Sequence, residues 1–480
     1  MQQKIALTIS GSVIVGGLFA QQQENNNPKK PNIVVFIADD AGIDLGCYGN
    51  KVIQTPNIDA LAANGMRFSE AYVTSPQSSP SRTSMLTGSF AHTIGTEDLH
   101  APLNDTTKII TSYLQNAGYY TGLMLKSHIG NNGMKQINWF DNGFESWQKG
   151  EWHDKCIGNL NTFLDKKEKN PFFLWVAFVD PHRPYVEDNI VANRAPEIHN
   201  PAKIKVPPYL ANTKNTKIDI AHYYDEIARM DKYIGLMMAE LKRRNELENT
   251  ILIFMSDNGM PFPRCKGTLY DKGIQTPFIV SWPGVIKAGT TYNNQFSTID
   301  LAPTLLDVAG IKKPVQMYGQ SVSKIFSNQS INGRDYIFAE RNWHNADEHM
   351  RCVRTDKYKL IVNSYIELPH GSPSDVASSL SWFDLCKIKN KKATAAQLRL
   401  FECPRPVVEL YDLEKDPYEL VNLADNPNYI NIGKKLVAEL EKWMKETKDF
   451  SPHKRRLDDN IDRVTGFPYN GMINKEYWED

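Results

Sequence analysis

Four stretches of this chain are apolar almost without interruption, and each ends in polar or charged residues. They are Asn32-Ile33-Val34-Val35-Phe36-Ile37-Ala38, Tyr119-Tyr120-Thr121-Gly122-Leu123-Met124-Leu125, Phe172-Phe173-Leu174-Trp175-Val176-Ala177-Phe178 and Thr250-Ile251-Leu252-Ile253-Phe254-Met255. A strand with one wet face alternates apolar and polar positions, whereas a strand covered on both faces of a parallel sheet does not. The four runs therefore predict central strands of a parallel sheet. Ile220, Tyr223, Ile227, Met230, Ile234, Met237 and Leu241 recur at helical spacing, which predicts an amphipathic helix over 219–244 lying on that sheet. Another helix is expected to begin at Ile299-Asp300-Leu301.

The periodicity breaks at Ser327-Asn328-Gln329-Ser330-Ile331-Asn332-Gly333, which places a boundary near residue 330. Beyond it, 336–340, 357–362 and 407–410 read as short strands and 429–448 as a helix packing on them. The fold class expected is α/β. A large, mixed but mostly parallel sheet flanked by helices would occupy 31–330, followed over 331–480 by a smaller α+β subdomain of antiparallel sheet and helix. Lys387, Lys389, Lys391 and Lys392 fall in a loop or irregular helix, either a solvated face or a contact for a polyanion. No internal repeat is present.

The ends of the apolar runs carry the chemistry. The first stops at Asp39-Asp40-Ala41-Gly42 and the last at Ser256-Asp257-Asn258-Gly259. Successive side chains on a strand point to opposite faces, so adjacent acids converge only where the chain leaves the sheet, and the glycine two residues beyond Asp40 and Asp257 permits that. Ligands of open α/β sheets bind at such carboxyl ends. Three carboxylates and an amide oxygen are hard ligands that suit Ca²⁺ first, or Mg²⁺, rather than Zn²⁺. The other two runs deliver Lys126-Ser127-His128 and Val179-Asp180-Pro181-His182-Arg183 to the same side.

Ser78-Ser79-Pro80-Ser81-Arg82, with Thr87-Gly88 behind it, predicts a helix with Pro80 in its first turn and Ser78 just ahead of its N-terminus. Backbone N–H groups and the helix dipole favour an anion there, and Arg82 offers the planar fork that fits sulfate or phosphate. The same stretch also reads as an ordinary Ser-rich cap.

Together these segments resemble the type I sulfatases of the alkaline phosphatase superfamily, from about Pro31 to Leu410-Tyr411-Asp412 and beyond. Ser-x-Pro-Ser-Arg followed by Thr-Gly is the most specific element; the family carries Cys or Ser at its first position, oxidised to formylglycine. The resemblance implies that Ser78 is a Ser-type precursor, matured by an enzyme of the anaerobic, radical type. It also implies that Asp39, Asp40, Asp257 and Asn258 hold one Ca²⁺ together with residue 78, that Arg82 steadies that residue, and that His128 hydrogen-bonds to it. Lys126, His182 and Lys266 would contact the sulfate, with His182 and Lys266 protonating the leaving group. An aldehyde hydrate has two hydroxyls on one carbon, so one can attack sulfur and the other expel sulfate on collapse. Met350-Arg351-Cys352-Val353-Arg354 and 410–417 resemble the family's C-terminal subdomain.

Within the family, Gly88 through His92 to Gly95, Asp98-Leu99-His100, and Asp257-Asn258-Gly259-Met260-Pro261-Phe262-Pro263 are similar to the sulfamidase branch, the heparan N-sulfatases. That implies N-sulfoglucosamine of a sulfated glycan as substrate, with His92 and His100 reading the sugar or standing as surface-loop histidines. The branch has Arg where this chain has Lys266. The alternatives are a glycan O-sulfatase, a phosphatase or phosphodiesterase of the superfamily, and a glycan-binding pseudo-sulfatase in which Ser78 is never oxidised.

The 480 residues are 41% hydrophobic and carry 55 basic against 55 acidic side chains, so neither a nucleic-acid surface nor a general polyanion surface is implied. Attraction for sulfate must be local. Three aspartates facing Arg82, Lys126, Lys266 and a divalent cation leave such a pocket positive by two formal charges. Residues 1–20 have the charged start and short apolar core of a signal peptide, too short for a membrane span of about 20 apolar residues, and 21–30 read as a linker. Export to a bacterial periplasm, or secretion, is the expectation. The six cysteines show no metal-type spacing; Cys386 and Cys403 would bridge if they meet, and free buried thiols are the alternative. The tail 451–480, with Arg455-Arg456 and Phe467, Tyr469, Tyr477 and Trp478, is too aromatic for plain disorder and is a candidate to fold back near the pocket.

Overall fold

A computed structural model describes residues 29–141, 152–185, 195–389 and 392–451; the expected signal peptide and nearly all of the aromatic tail lie outside these. In chain order the strands are β1 Asn32–Ala38, β2 Met66–Phe68, β3 Ala71–Tyr72, β4 Tyr120–Leu125, β5 Trp139–Phe140, β6 Phe172–Ala177, β7 Thr250–Ser256, β8 Phe278–Ser281, β9 Thr290–Tyr292, β10 Phe296–Ser297, β11 Ile337–Arg341, β12 Met350–Arg354, β13 Tyr358–Asn363 and β14 Val408–Asp412. Eight of them form a mixed sheet in the order β5-β4-β6-β1-β7-β8-β2-β9, in which β8 alone runs antiparallel to its neighbours. The four continuous apolar runs are β4, β6, β1 and β7, its adjacent parallel centre. A second, antiparallel sheet of four strands follows in simple chain order, β11 to β14.

The reason for the continuous runs is visible in the packing. Ile33, Val35 and Ile37 of β1 enter one apolar layer, while Val34, Phe36 and Ala38 enter the other. The second layer is closed by the helix Lys214–Arg243, whose Ile220, Tyr223, Ile227, Met230, Ile234, Met237 and Leu241 are the expected stripe. That helix starts at Lys214 rather than 219. Its first turn is polar and escapes a periodicity argument, but Thr213 caps it, accepting from the Thr216 N–H at 3.1 Å. The first layer is covered by the helices Ser78–Thr87 and Leu301–Val308.

The smaller sheet uses both faces. Ile337, Ala339, Cys352 and Ile361 join the first layer of the main core, and Val353, Leu360 and Leu410 pack with Leu436, Leu440 and Trp443 of the helix Ile430–Thr447. In the basic stretch Lys387 differs from expectation, since it lies in the last turn of a regular helix, Leu380–Ile388, capped by Ser379; Lys389 follows that helix, and Lys391 lies outside the described residues. All six cysteines are free thiols, so no 386–403 bridge forms; Cys386 sits on that helix, whereas Cys403 is exposed with its sulfur against the Glu367 carbonyl. No helix among the described residues is long and apolar enough to cross a membrane.

Buried ion pairs tie the smaller sheet to the main body: Arg354 and Lys359 meet Asp271, and a third pair is pH-sensitive. Glu340 of β11 meets His92 Nδ1 at 3.0 Å, with the His92 ring stacked on Phe90 and edge-on to Trp443. Burial opposes a charged imidazole, but the Glu340 carboxylate outweighs it and raises the His92 pKa above its ordinary value. The stabilisation is therefore complete below the ordinary histidine value and lost as pH rises through the elevated one. His92→Gln is expected to destabilise the chain by about 3 kcal/mol at about pH 6, and the difference in thermal midpoint should narrow by about pH 9. A gap independent of pH would show that the pair is not ionic.

Candidate active site

The site forms because the register of β1 and β7 is exact to the last residue: Ala38 pairs with Ser256, so Asp39-Asp40 and Asp257-Asn258 leave the sheet side by side. The turns are made differently from the expectation. Asp40 itself takes the left-handed conformation, at φ 74°, and its N–H donates to Asp257 Oδ1 at 3.0 Å. Asp and Asn tolerate that region better than most residues. Gly259 is required for space instead, since a Cβ there would lie 1.9 Å from the Lys272 carbonyl oxygen.

The helix Ser78–Thr87 is buried along its whole length, with Gln77 as its N-cap, so Ser78 is its first residue rather than one ahead of it. Ser78 Oγ donates to Asp39 Oδ1 at 3.2 Å. One turn on, Arg82 Nε and Nη2 both reach Asp257 Oδ2 at 2.9 Å, and Nη2 lies 3.5 Å from Asp39. Arg82 thus meets the carboxylates directly and Ser78 through Asp39. Lys126, from the end of β4, donates to Asp39 Oδ2, and Lys266 donates to Asp40 Oδ2 at 2.7 Å.

Two further groups come from elements that the sequence did not connect with the site. Asp375 accepts from Lys266 Nζ at 2.8 Å, and His182 Nε2 lies 3.8 Å from both Asp375 and Asp40. His344, just beyond the end of β11, is buried, with its Nδ1 3.0 Å from Asn345 Oδ1. Asp375 has no local motif around it. A histidine three residues beyond a strand end was a usable signal for His344.

His100 lies beside the cluster, its ring 5.0 Å from that of His128 and its N–H bonded to Ser79 Oγ at 2.9 Å. The Nδ1 of His128 is buried without a hydrogen-bond partner. His92 is a correction to the pairing of the two histidines as sugar readers, because its ring is engaged by Glu340, Phe90 and Trp443 on the smaller sheet.

The electrostatics follow from who faces whom. Burial works to raise the Asp39 carboxyl, but the Lys126 ammonium, with His182, Arg82 and Lys266, holds it well below the usual range. Asp40, despite Lys266, is pushed up to about 6 by burial and by Asp39 and Asp375. Asp257 is pushed up to about 7 by burial and by Asp39, against Arg82. Burial, then Lys266 and Lys126, lowers His182 to about 4. Asp375 also corrects the charge balance: four acids oppose three bases, and a divalent cation would leave the site positive by one rather than two.

Among the described residues, Asp39, Asp40 and Asp257 bring carboxylate oxygens within 4.8 Å of one another, as do the donor atoms of Asp40, His182 and Asp375. The first group fits a hard cation. Beside it Asn258 turns its Nδ2 to Asp40 Oδ1 at 2.8 Å and leaves its Oδ1 buried with no partner. A buried acceptor without a donor is costly unless something positive meets it.

Residues 31–311 match the family model described as Sulfatase, and residues 265–368 match the one described as N-sulphoglucosamine sulphohydrolase, C-terminal. The chain belongs to the sulfatase family. It is a hydrolase of the sulfuric ester or sulfamate type. The N-sulphoglucosamine sulphohydrolase of Homo sapiens is 30% identical to this sulfatase across 87% of this chain and 90% of its own. An N-acetylglucosamine-6-O-sulfatase of Bacteroides thetaiotaomicron is 23% identical across 90% of this chain and 89% of its own. A solved structure of a protein in complex with its substrate D-glucosamine-2-N,6-O-disulfate shares the fold with a TM-score of 0.67 at 22% identity, covering 88% of this chain and 99% of that one.

Adding Ca²⁺ to the chelator-treated sulfatase is expected to raise its thermal midpoint, by about 2.7 kcal/mol of stability at a hundredfold excess over Kd. Asp40→Asn keeps the side-chain size and tolerates the positive φ, so it should spare the chelated form and remove the response. A midpoint insensitive to Ca²⁺, Mg²⁺ and Mn²⁺ alike would exclude the site.

Proposed function

We propose that this sulfatase hydrolyses a sulfate group from a glycosaminoglycan-derived glucosamine, at the N-sulfo position. The observation that carries the reading is one hydroxyl, Ser78 Oγ, bonded to an acidic cluster and ringed by three bases, at the first turn of a buried helix. Support for the sugar comes from the match to the N-sulphoglucosamine sulphohydrolase C-terminal model and from the relative of that name.

Asp39, Asp40, Asp257 and Asn258 are the residues that would hold Ca²⁺ together with residue 78. Ser78 would act after conversion to formylglycine by a Ser-type maturation enzyme, before or during export to the periplasm or medium. Together these groups would supply a geminal diol for attack and positive charge against the sulfate oxygens. The chain's own residues do the rest. Arg82 fixes Asp257 and Asp39, so the acids cannot turn away. Lys126, anchored on Asp39, and Lys266, anchored on Asp40 and Asp375, bring ammonium N–H groups to the sulfate oxygens. His128 would serve as the base toward residue 78, and its burial, with Lys126 and Arg82 nearby, favours the neutral imidazole that can accept a proton. The pair His182 and Lys266 would supply the proton that the leaving atom needs.

An O-sulfatase is the second reading, favoured by the likeness to the N-acetylglucosamine-6-O-sulfatase over most of both chains. The two readings separate on substrate. Protein co-expressed with a Ser-type maturation enzyme is expected to yield a residue-78 peptide about 2 Da lighter than serine requires, and to release inorganic sulfate from N-sulfoglucosamine in preference to 6-O-sulfated N-acetylglucosamine. Ser78→Ala should abolish release, a loss of at least about 10⁴-fold. Undiminished turnover by Ser78→Ala would contradict the assignment of the nucleophile.

A further inference from the structure

At the mouth of the cluster the floor is dry and the rim is not. Asp39, Asp40 and Asp257 are fully buried, whereas the His182 side chain is 25% exposed, Asp375 16% and Lys126 12%. Lys126 belongs to the sulfate side through Asp39. Asp375 and His182 stand beyond Lys266, whose ammonium joins Asp40 to Asp375 like a strut. The rim beside Lys266 therefore presents an imidazole and a carboxylate.

That carboxylate is held in place from several directions. Pro373 packs so closely on Gly267 that a Cβ there would lie 2.9 Å from the proline ring. The Ser374 N–H donates to Asn345 Oδ1 at 3.1 Å, and Arg341 donates to the Gly371 carbonyl. Asp375 then sits in the first turn of the short helix Ser374–Ala377. A side chain fixed at the rim in this way discriminates between ligands by what it can and cannot bond to.

Resting on the sulfatase reading above, we propose that Asp375 reads the leaving atom of the substrate and selects nitrogen over oxygen. The bridging nitrogen of a sulfamate, R–NH–SO₃⁻, carries a hydrogen; the bridging oxygen of a sulfate ester carries none. A carboxylate only accepts hydrogen bonds. It bonds to the sulfamate N–H and meets an ester oxygen with lone pair against lone pair, so it both favours one substrate and penalises the other. Sulfamate and water become ammonium and sulfate, with a total charge of minus one on each side. The S–N bond breaks with its electron pair passing to nitrogen, a new S–O bond forms, and nitrogen gains two protons, one lent by the His182 and Lys266 side and returned to it from water, the other from the same water, whose oxygen ends in the products. Protonation of the bridging nitrogen ahead of cleavage is what places positive charge on it, since the electron pair of the breaking bond is itself negative. A carboxylate beside it stabilises the transition state more than the bound substrate.

Asp375→Asn keeps the shape and adds an N–H donor. For the matured variant, kcat/KM on N-sulfoglucosamine is expected to fall roughly tenfold to hundredfold. Turnover of an aryl sulfate should fall less, so the ratio of the two shifts toward the ester by about tenfold or more. A binding experiment needs no turnover. At mildly acid pH glucosamine, as its ammonium, is expected to bind the unsubstituted sulfatase about tenfold tighter than glucose, and Asp375→Asn should erase the preference. Equal losses on sulfamate and ester would overturn the proposal and leave Asp375 as a prop for Lys266. Equal binding of glucosamine and glucose would overturn it too. If the matured protein released no sulfate from any substrate, the sulfatase reading would fall instead, and the binding comparison would still decide Asp375.

Discussion

Three aspartates buried side by side at the ends of two adjacent parallel strands repel one another, and the surrounding chain is arranged to contain that repulsion. Each carboxylate taken from water costs several kcal/mol in effective terms unless opposite charge and hydrogen bonds meet it. The bases come from three separate places: Arg82 from a buried helix, Lys126 from the end of β4 and Lys266 from the turn after β7. Asp39, facing Lys126 and Arg82 directly, remains strongly acidic. Asp40 and Asp257, each with one direct base, rise to about 6 and about 7. The shortfall of positive charge, together with the unpartnered Asn258 oxygen, is what a divalent cation would make good.

The parts of the site are held by different means. The acidic cluster is fixed by sheet register, and the His182 loop by ion pairs onto the long helix Lys214–Arg243. Arg229 grips Asp180 at 2.7 and 2.8 Å, and Arg183 grips Asp219 in the same two-pronged way, so the loop carrying His182 is braced at both flanks. Paired forks of this kind fix orientation as well as distance. The chain beyond residue 330 adds to these the buried His344 after β11 and, at the rim beside His182, Asp375 in the loop that Pro373 presses onto Gly267. Sulfate chemistry and choice of leaving group thus rest on different parts of the chain, joined through Lys266.

The chain's own pattern revealed the centre of the fold and the acidic cluster at its strand ends. Buried parallel strands write themselves as unbroken apolar runs, and residues at their ends converge by geometry alone, so Asp39, Asp40, Asp257, Asn258, Lys126 and His182 were legible as one group. Ser78 and Arg82 were legible because a helix start has its own residue preferences. Asp375 was not, because it reaches the site through a loop more than a hundred residues after Lys266, with no periodicity to place it. His92 misled for the complementary reason: its spacing from His100 is a local feature, but its partner Glu340 is a tertiary one. The polar first turn of the long helix and the placement of Cys386 and Cys403 on unrelated elements were likewise settled by contacts that no local pattern encodes.

The central claim is that a divalent cation belongs among Asp39, Asp40, Asp257 and Asn258. Crystals grown with Ca²⁺ and measured at a wavelength sensitive to its anomalous scattering would test it most directly. The expected result is one peak per chain, within bonding distance of an oxygen of each of these four side chains. Well-ordered electron density for the cluster with no peak there, at saturating Ca²⁺, would contradict the account.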